Sequence, residues 1–169
     1  MITSTNRITL RQLQLADADF ILELVNQPDW LQYIGDKGVK DYQAAQRYLN
    51  EGPLRSYREH GFGLYRLALH DDTPIGLCGL LKRETLDCPD LGYALLPQYY
   101  GQGYVTEAAT ALLQYEAMHH RLTKVAALTL PNYQKSQNVL LRLDFQYIDT
   151  RSIAGVESDY FELSINSNN

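Results

Sequence analysis

The chain has 169 residues, of which 45% are hydrophobic and 21% charged, a composition typical of a folded globular protein rather than a disordered one. Fifteen Lys and Arg against 20 Asp and Glu leave a formal charge of −5, which argues against sequence-independent binding to DNA or RNA. The length suits one domain over residues 1–169, because a chain of this size buries about two-thirds of its unfolded surface around one core. Thirteen tyrosines against four phenylalanines and one tryptophan indicate half-buried, wet surfaces such as a cleft.

Hydrophobic periodicity and turn residues predict a mixture of strands and helices. In chain order the predicted elements are a strand at 8–13, helices at 17–26, 41–49 and 54–60, strands at 62–69, 75–82 and 90–96, a helix at 104–120, a strand at 125–130, a helix at 136–143, and strands at 145–148 and 160–165. Pro28 is expected to end the first helical region. Because helices alternate irregularly with hairpins, we expect an α/β (α+β) fold with a mixed sheet covered by helices, not a doubly wound parallel sheet.

Cysteine usage and the absence of long apolar runs bear on the setting of the protein. Cys78 and Cys88 are the two cysteines, and their spacing fits neither a metal knuckle nor a disulfide framework. We therefore expect a reducing, cytoplasmic setting and no metal. The first residues lack the apolar stretch of a signal peptide, and no window approaches the ~18 apolar residues of a membrane span. No role at a membrane is predicted.

The segment that carries chemistry runs from Asp90 to Ala108, where a strand leads through a glycine-containing turn into a helix. Free backbone amides at the positive end of a helix dipole form an anion site, and Gly101 and Gly103 allow close approach of phosphate oxygens. A P-loop needs Gly-Lys-Ser/Thr after the glycines, and a dinucleotide-binding fingerprint needs a third glycine where this chain has Thr106. A glycine turn that only ends the strand remains the structural alternative.

The pattern Gln98-x-x-Gly101-x-Gly103 resembles the Gln/Arg-x-x-Gly-x-Gly/Ala signature of the Gcn5-related N-acetyltransferase (GNAT) superfamily. The longer run Leu91–Ala108 resembles the branch that contains the RimJ and RimL ribosomal-protein N-acetyltransferases. The start of the chain and the segment 136–145 also resemble that branch, so the similarity extends over nearly the whole chain. The pattern is specific for the superfamily, but it does not identify the substrate.

The resemblance implies a GNAT fold whose mixed, mostly antiparallel sheet splays between the fourth and fifth predicted strands, with helices on its faces. Acetyl-CoA would lie in this cleft as co-substrate, with its pantetheine arm against the backbone of Tyr93, Ala94 and Leu95. The N–H of Leu95 is the expected oxyanion donor. The pyrophosphate would be held by backbone amides of the loop, namely those of Tyr99, Tyr100, Gly101, Gln102, Gly103 and Tyr104.

The resemblance also implies roles at the second half of the site. Many relatives protonate the departing thiolate with a tyrosine at the position of Leu140, whereas the RimJ/RimL branch has a serine at the position of Ser136. Ser136 is therefore the candidate acid, and a helix cap is its structural alternative. The asparagine expected three residues before it is Tyr133 here. Asn132, one place early, is a candidate pantetheine contact, and Tyr133 is a candidate hydroxyl donor.

Asp90 is the candidate general base, acting on the amine through a water molecule, because relatives often place a carboxylate at the start of this strand. Glu84, Asp87 and Glu157 are further candidates in loops that could face the acceptor. A solvated surface carboxylate is the alternative interpretation of each.

These residues predict an N-acetyltransferase in which a primary amine attacks acetyl-CoA directly within a ternary complex. The acceptor is a protein N-terminus, such as that of a ribosomal protein, or a small-molecule amine such as a polyamine or an aminoglycoside. The alternative is a non-catalytic acyl-CoA-binding regulatory module, because Leu140 and Asn132 depart from the family pattern. A monomer or a homodimer is expected, without nucleic acid or membrane as a partner.

Overall fold

The computed structural model describes residues 1–166, in which eight strands form one sheet with helices on both faces. The strands are β1 (Thr3–Ser4), β2 (Ile8–Gln12), β3 (Leu64–Leu69), β4 (Pro74–Leu81), β5 (Asp90–Leu95), β6 (Lys124–Thr129), β7 (Gln146–Ile153) and β8 (Val156–Ser164). The helices are α1 (Ala18–Leu24), α2 (Pro28–Tyr33), α3 (Tyr42–Leu49), α4 (Arg55–His60), α5 (Tyr104–His120) and α6 (Gln134–Arg142). Short helical turns cover Leu15–Asp17, Asn50–Leu54 and Pro97–Tyr99.

The sheet has the strand order β1-β2-β3-β4-β5-β6-β8-β7, and every neighbouring pair is antiparallel except β5 and β6. These two strands run parallel and pair at a single position, Asp90 with Ala126, before they diverge. They correspond to the fourth and fifth predicted strands. The mixed, mostly antiparallel sheet and its splay are therefore as predicted.

Apolar side chains form a core on each face of the sheet. Leu95 and Leu112 belong to the core beneath α5 and α6. Leu24, Leu49 and Leu77 belong to the core beneath α1 to α4. Each fully buried leucine contributes about 1.5–3 kcal/mol relative to an exposed one, so both layers stabilise the sheet on either side of the splay.

Two parts of the fold differ from the prediction. Pro28 begins the short helix α2 instead of ending the helical region, because proline at the first helical position lacks an N–H that would be unpaired there anyway. The last two strands are longer than predicted and form one hairpin around Ala154 and Gly155. β7 is a largely exposed edge strand, so its polar side chains gave no apolar alternation.

Within residues 1–166, no helix combines the length and the apolar composition that crossing a membrane requires.

Candidate active site

A cleft of about 1250 Å³ lies where β5 and β6 diverge. The start of α5, the side of α6, the helices α1 to α3, the loop after β4 and the β7–β8 turn all contribute to its lining. Since these elements lie on both faces of the sheet, the cleft passes through the sheet at the splay. Seven of the 13 tyrosines line it, namely Tyr33, Tyr48, Tyr93, Tyr99, Tyr100, Tyr104 and Tyr133.

The edge of β5 that faces the cleft carries backbone groups without a strand partner. The amide of Leu96 donates to the carbonyl of Ile75 on β4 at 2.8 Å, and bonded and non-bonded positions alternate along an antiparallel ladder. The N–H and C=O groups of Leu95 and Tyr93 therefore point away from β4 and into the cleft. The groups of Ala94, which lies between them, are turned toward β4, so the expected contact of the Ala94 backbone with the pantetheine arm is corrected. This edge offers donors and acceptors to an extended ligand.

The loop between β5 and α5 turns through two glycines in the left-handed conformation. Gly101 has φ +75° and Gly103 has φ +79°, values that other residues adopt only with strain. Gly101 lines the cleft, and a Cβ atom added there would meet no described atom within 4 Å. A methyl group at Gly101 would therefore enter the open space above the loop, where an anion can approach the backbone.

Backbone amides gather at the start of α5. Within residues 1–166, the N–H groups of Gly101–Thr106 have no hydrogen-bond acceptor, and they lie at the positive end of the helix dipole. The amides of Tyr99 and Tyr100 instead donate to carbonyls of the preceding turn at 3.0 and 3.1 Å. The expectation that Tyr99 and Tyr100 bind an anion through their amides is thus corrected, and the available run begins at Gly101.

Arg7, which sequence reasoning did not single out, fixes the conformation of this loop. Its guanidinium donates to the carbonyl of Gln102 at 2.8 Å and to the carboxylate of Glu107 at 2.6 Å, and it lies 4.4 Å from the centre of the Tyr104 ring. The side chain of Gln102 is exposed and lies outside the cleft lining. Any role of Gln102 is therefore confined to its backbone.

Ser136 lies in the first turn of α6 and lines the cleft opposite β5. Its Oγ is 2.7 Å from the hydroxyl oxygen of Tyr93, and that hydroxyl also donates to the Ser136 carbonyl at 3.0 Å. Tyr133 is the N-cap residue of α6, so the alternative that Ser136 caps the helix is wrong. Leu140 is completely buried and supplies no hydroxyl. Ser136 and Tyr93 form the hydroxyl pair of the cleft.

Asp90 opens β5 on the cleft wall and is 2% exposed. The Nε of Arg83 donates to both of its carboxylate oxygens at 3.1 Å. Burial raises the pKa of Asp90 above its ordinary value, although the neighbouring guanidinium acts in the opposite direction. Asp90 is thus a buried, paired carboxylate at the point where the strands separate.

The other predicted residues divide by position. Glu84 lines the cleft, whereas Asp87, Glu157 and Asn132 are exposed and lie outside its lining. Asp87 pairs with Lys124 at 3.4 Å. Asn132, one position before the expected asparagine position, faces solvent. Its position therefore does not support the expected contact with the pantetheine arm.

Residues outside the predicted segments also line the cleft. Tyr33 from α2 stacks on Tyr133 with 3.7 Å between ring centres, which ties α2 to the start of α6 across the cleft. Asp29 lines the same wall, and its charge adds to burial in raising the pKa of Tyr100. The helix α2, which carries Tyr33 and Trp30, was not predicted from the sequence.

Comparison with known proteins gives one family and a common fold. The family model of the Acetyltransferase (GNAT) domain matches residues 7–146. The chain is 28% identical over 152 residues to the uncharacterised protein YkkB of Bacillus subtilis (strain 168), covering 86% of both chains. It is 26% identical over 147 residues to the uncharacterised N-acetyltransferase p20 of Bacillus licheniformis, covering 84% of this chain and 80% of that one.

Among solved structures, the fold is similar to that of RimL, the ribosomal L7/L12 alpha-N-protein acetyltransferase, in complex with coenzyme A. The TM-score is 0.85 with 18% identity, and the similarity covers 99% of each chain. At this identity the likeness shows the fold alone. The family match and this likeness confirm the fold and the resemblance stated from the sequence.

Proposed function

Because this chain belongs to the acetyltransferase (GNAT) family and is therefore an N-acetyltransferase, we propose that it transfers an acetyl group from acetyl-CoA to a primary amine by direct attack in a ternary complex. The acceptor is a protein N-terminus or a small-molecule amine. In this proposal residues 1–169 act as one domain, in a monomer or a homodimer. RimL, named for a protein N-terminal activity and described with coenzyme A, supports both the co-substrate and the first kind of acceptor.

The residues at the splay fit coenzyme A on two independent observations. The unpaired amides of Gly101–Thr106 offer a diphosphate several charge-assisted hydrogen bonds, and the space above Gly101 that a Cβ would fill admits the phosphate oxygens. The free N–H and C=O groups of Tyr93 and Leu95 can pair with the two amides of a pantetheine arm, as an added strand would. The observation that carries the proposal is this combination of a free strand edge and an anion cradle in one cleft.

Acetyl-CoA supplies a thioester, and the chain must place it, stabilise the oxyanion and provide a proton for the thiolate. The N–H of Leu95 faces the cleft and is free to donate to the oxyanion. Ser136 can donate its hydroxyl proton to the thiolate when the Tyr93 hydroxyl, 2.7 Å away, turns its single proton from the Ser136 carbonyl to Ser136 Oγ. Such a chain of hydroxyls strengthens the terminal donor, since hydrogen bonds in series polarise one another.

Asp90 can receive the amine proton only through water. Leu95 is five residues farther along the same strand, about 16 Å at roughly 3.3 Å per residue, and no carboxylate side chain spans that distance. A chain of water molecules along the cleft wall satisfies the geometry. Burial raises the pKa of Asp90, which favours uptake of a proton by this carboxylate.

The decisive experiment measures thiol release from acetyl-CoA with a panel of N-terminal peptides and small amines, together with calorimetric titration of acetyl-CoA. We expect saturable binding of acetyl-CoA and turnover on part of the panel. Binding without turnover on any acceptor would support the non-catalytic acyl-CoA-binding module instead. Absence of acetyl-CoA binding would refute the proposal.

A further inference from the structure

The cleft has an arm on the face of the sheet that carries α1 to α4. Side chains of β5 alternate between faces, so that Leu91 and Leu95 lie in the core beneath α5, whereas Gly92 and Ala94 face the opposite side. We call the part of the cleft on this side the acceptor arm. Its lining includes the apolar and aromatic residues Leu24, Trp30, Tyr48, Leu64, Leu77 and Leu81, and Gln27 and Asp29 line the cleft from the same side.

The floor of the acceptor arm consists of small residues beneath leucine side chains. A Cβ added at Gly92 would lie 3.2 Å from Leu81 Cδ1 and 3.3 Å from Leu64 Cδ2, so both leucines lean over the glycine. Ala94, the next residue on the same face, contributes only a methyl group. The floor therefore offers apolar contact and no hydrogen-bonding side chain.

The walls of the acceptor arm add two neutral donors. Trp30 is 5% exposed, and its Nε1–H has no partner among the described residues. Burial raises the pKa of Tyr48 to about 12, so its hydroxyl stays neutral at physiological pH. Among residues 1–166, this hydroxyl makes no side-chain hydrogen bond. The Tyr48 hydroxyl can serve an uncharged acceptor atom of a ligand, such as a carbonyl oxygen, whereas Trp30 Nε1 is itself covered by protein.

Among the described residues, most charged side chains on this side of the cleft lie at its mouth or are paired, and the exception is Asp29 on α2, which lies beside the Tyr100 hydroxyl. Lys37, Lys82 and Glu84 line the cleft from exposed loop positions. Asp90, the buried carboxylate on the same face of β5, is engaged by Arg83. A cation buried among the leucine side chains of the arm would lose its hydration to an apolar surface, which is costly, whereas an apolar group gains free energy from the same burial.

We propose that the acceptor is a primary amine bearing a bulky apolar group, aromatic or branched aliphatic, which occupies the acceptor arm while the amine lies near Leu95. This inference rests on the proposed acetyl transfer, because the arm receives an acceptor only if that reaction occurs. Two sources share this chemistry, namely a peptide whose first residue has a large apolar side chain and a free arylalkylamine. Polyamines and aminoglycosides carry no bulky apolar group to place among these leucines, and we expect them to be poor acceptors.

The first test compares kcat/KM for peptides that begin with Leu or Phe against peptides that begin with Gly or Asp, and for 2-phenylethylamine against spermidine and kanamycin. An apolar pocket discriminates one methylene by about 10- to 200-fold, so we expect at least a tenfold preference for the apolar member of each comparison. The peptide arm and the small-amine arm identify the source. Equal or better turnover of spermidine, kanamycin or the Gly and Asp peptides would overturn the inference.

A second readout needs no turnover, because Trp30 is the single tryptophan of the chain and lines the arm. With CoA present, titration with 2-phenylethylamine or a Leu peptide should change the tryptophan fluorescence saturably, and spermidine should not. A saturable signal without any thiol release would refute acetyl transfer but retain the apolar site. Turnover of polar amines without a signal would refute the apolar site but retain acetyl transfer.

Two variants narrow the arm from different sides. Gly92→Ala pushes the ends of Leu64 and Leu81 by a few tenths of an ångström into the arm, and Tyr48→Trp enlarges a half-buried wall residue. Either should raise KM for the apolar acceptor at least fivefold without changing the Kd for acetyl-CoA. If one variant fails to fold, the other gives the same test. An unchanged KM in a folded variant contradicts the assignment.

Discussion

Gly101→Ala separates the backbone strain of the loop from its role toward acetyl-CoA. At φ +75° an alanine costs about 1–2 kcal/mol in stability. The same methyl group would occupy the open space above the loop and displace a phosphate oxygen from the amides. Loss of one charge-assisted hydrogen bond costs about 1.5–3 kcal/mol, equivalent to roughly a 10- to 150-fold rise in Kd.

Gly155→Ala is the matched control, because Gly155 has φ +82° and equally has no described atom within 4 Å of an added Cβ. Both variants should melt about 2–8 °C below the parent protein, since 1 kcal/mol corresponds to about 2–4 °C at this size. Calorimetry should then show weakened acetyl-CoA binding in Gly101→Ala alone. Equal affinities in the two variants would refute the assignment of the anion cradle.

Three further outcomes test the hydroxyl pair, the candidate base and a buried carboxylate outside the site. In single-turnover assays, Ser136→Ala should lower the rate about 100-fold, because it removes the proposed acid. Tyr93→Phe should lower the rate about 5- to 10-fold, because it removes one supporting hydrogen bond. Both variants should retain the affinity for acetyl-CoA. A wild-type rate in Ser136→Ala removes it as the acid. In the parent protein, kcat should fall on the acidic side at a pH above the ordinary range for Asp, because burial raises the pKa of Asp90. Asp90→Asn should abolish this acidic decline of kcat. If kcat of Asp90→Asn still declines on the acidic side, the general base is a different residue. Glu116 is completely buried and its pKa is raised by burial, so its protonated form favours folding and stability falls as pH rises through that pKa. Glu116→Gln should therefore melt higher than the parent at pH 8, with the difference shrinking toward pH 4. A lower melting temperature at pH 8 would contradict this and would mean that the contact with His120 at 3.1 Å outweighs desolvation.

Local sequence was sufficient to predict the strand, turn and helix around Gly101 and Gly103, because these elements follow one another directly in the chain. The splay itself came from family resemblance, since no local pattern reveals that β5 and β6 pair at a single position. Arg7 could not be found in this way. It reaches Gln102 and Glu107 from about 100 residues away in the chain, and only the packed sheet brings the two segments together.

The same limit applies to the tyrosines of the cleft. Five of them, from Tyr93 to Tyr104 and at Tyr133, fall in segments already assigned to the cofactor, whereas Tyr33 and Tyr48 come from helices on the opposite face. Their excess over phenylalanine now has a physical reason. Burial raises the pKa of Tyr48, Tyr93 and Tyr100, so these rings supply hydroxyl donors that carry no charge into a cleft already able to bind an anion.

The apolar lining of the acceptor arm also bears on how the amine loses its proton. An ammonium group cannot attack a thioester, and transfer into an apolar environment lowers the pKa of an amine because it disfavours the charged form. In the proposed arrangement, the leucine-lined acceptor arm thus contributes to deprotonation before any base acts. Asp90, about 16 Å along the strand from Leu95, then needs only to receive a proton passed through water. Asp90→Asn should accordingly lower kcat less for the acetylation of weakly basic arylamines than for that of strongly basic alkylamines. An equal loss of kcat for both would refute these separate roles of the acceptor arm and Asp90.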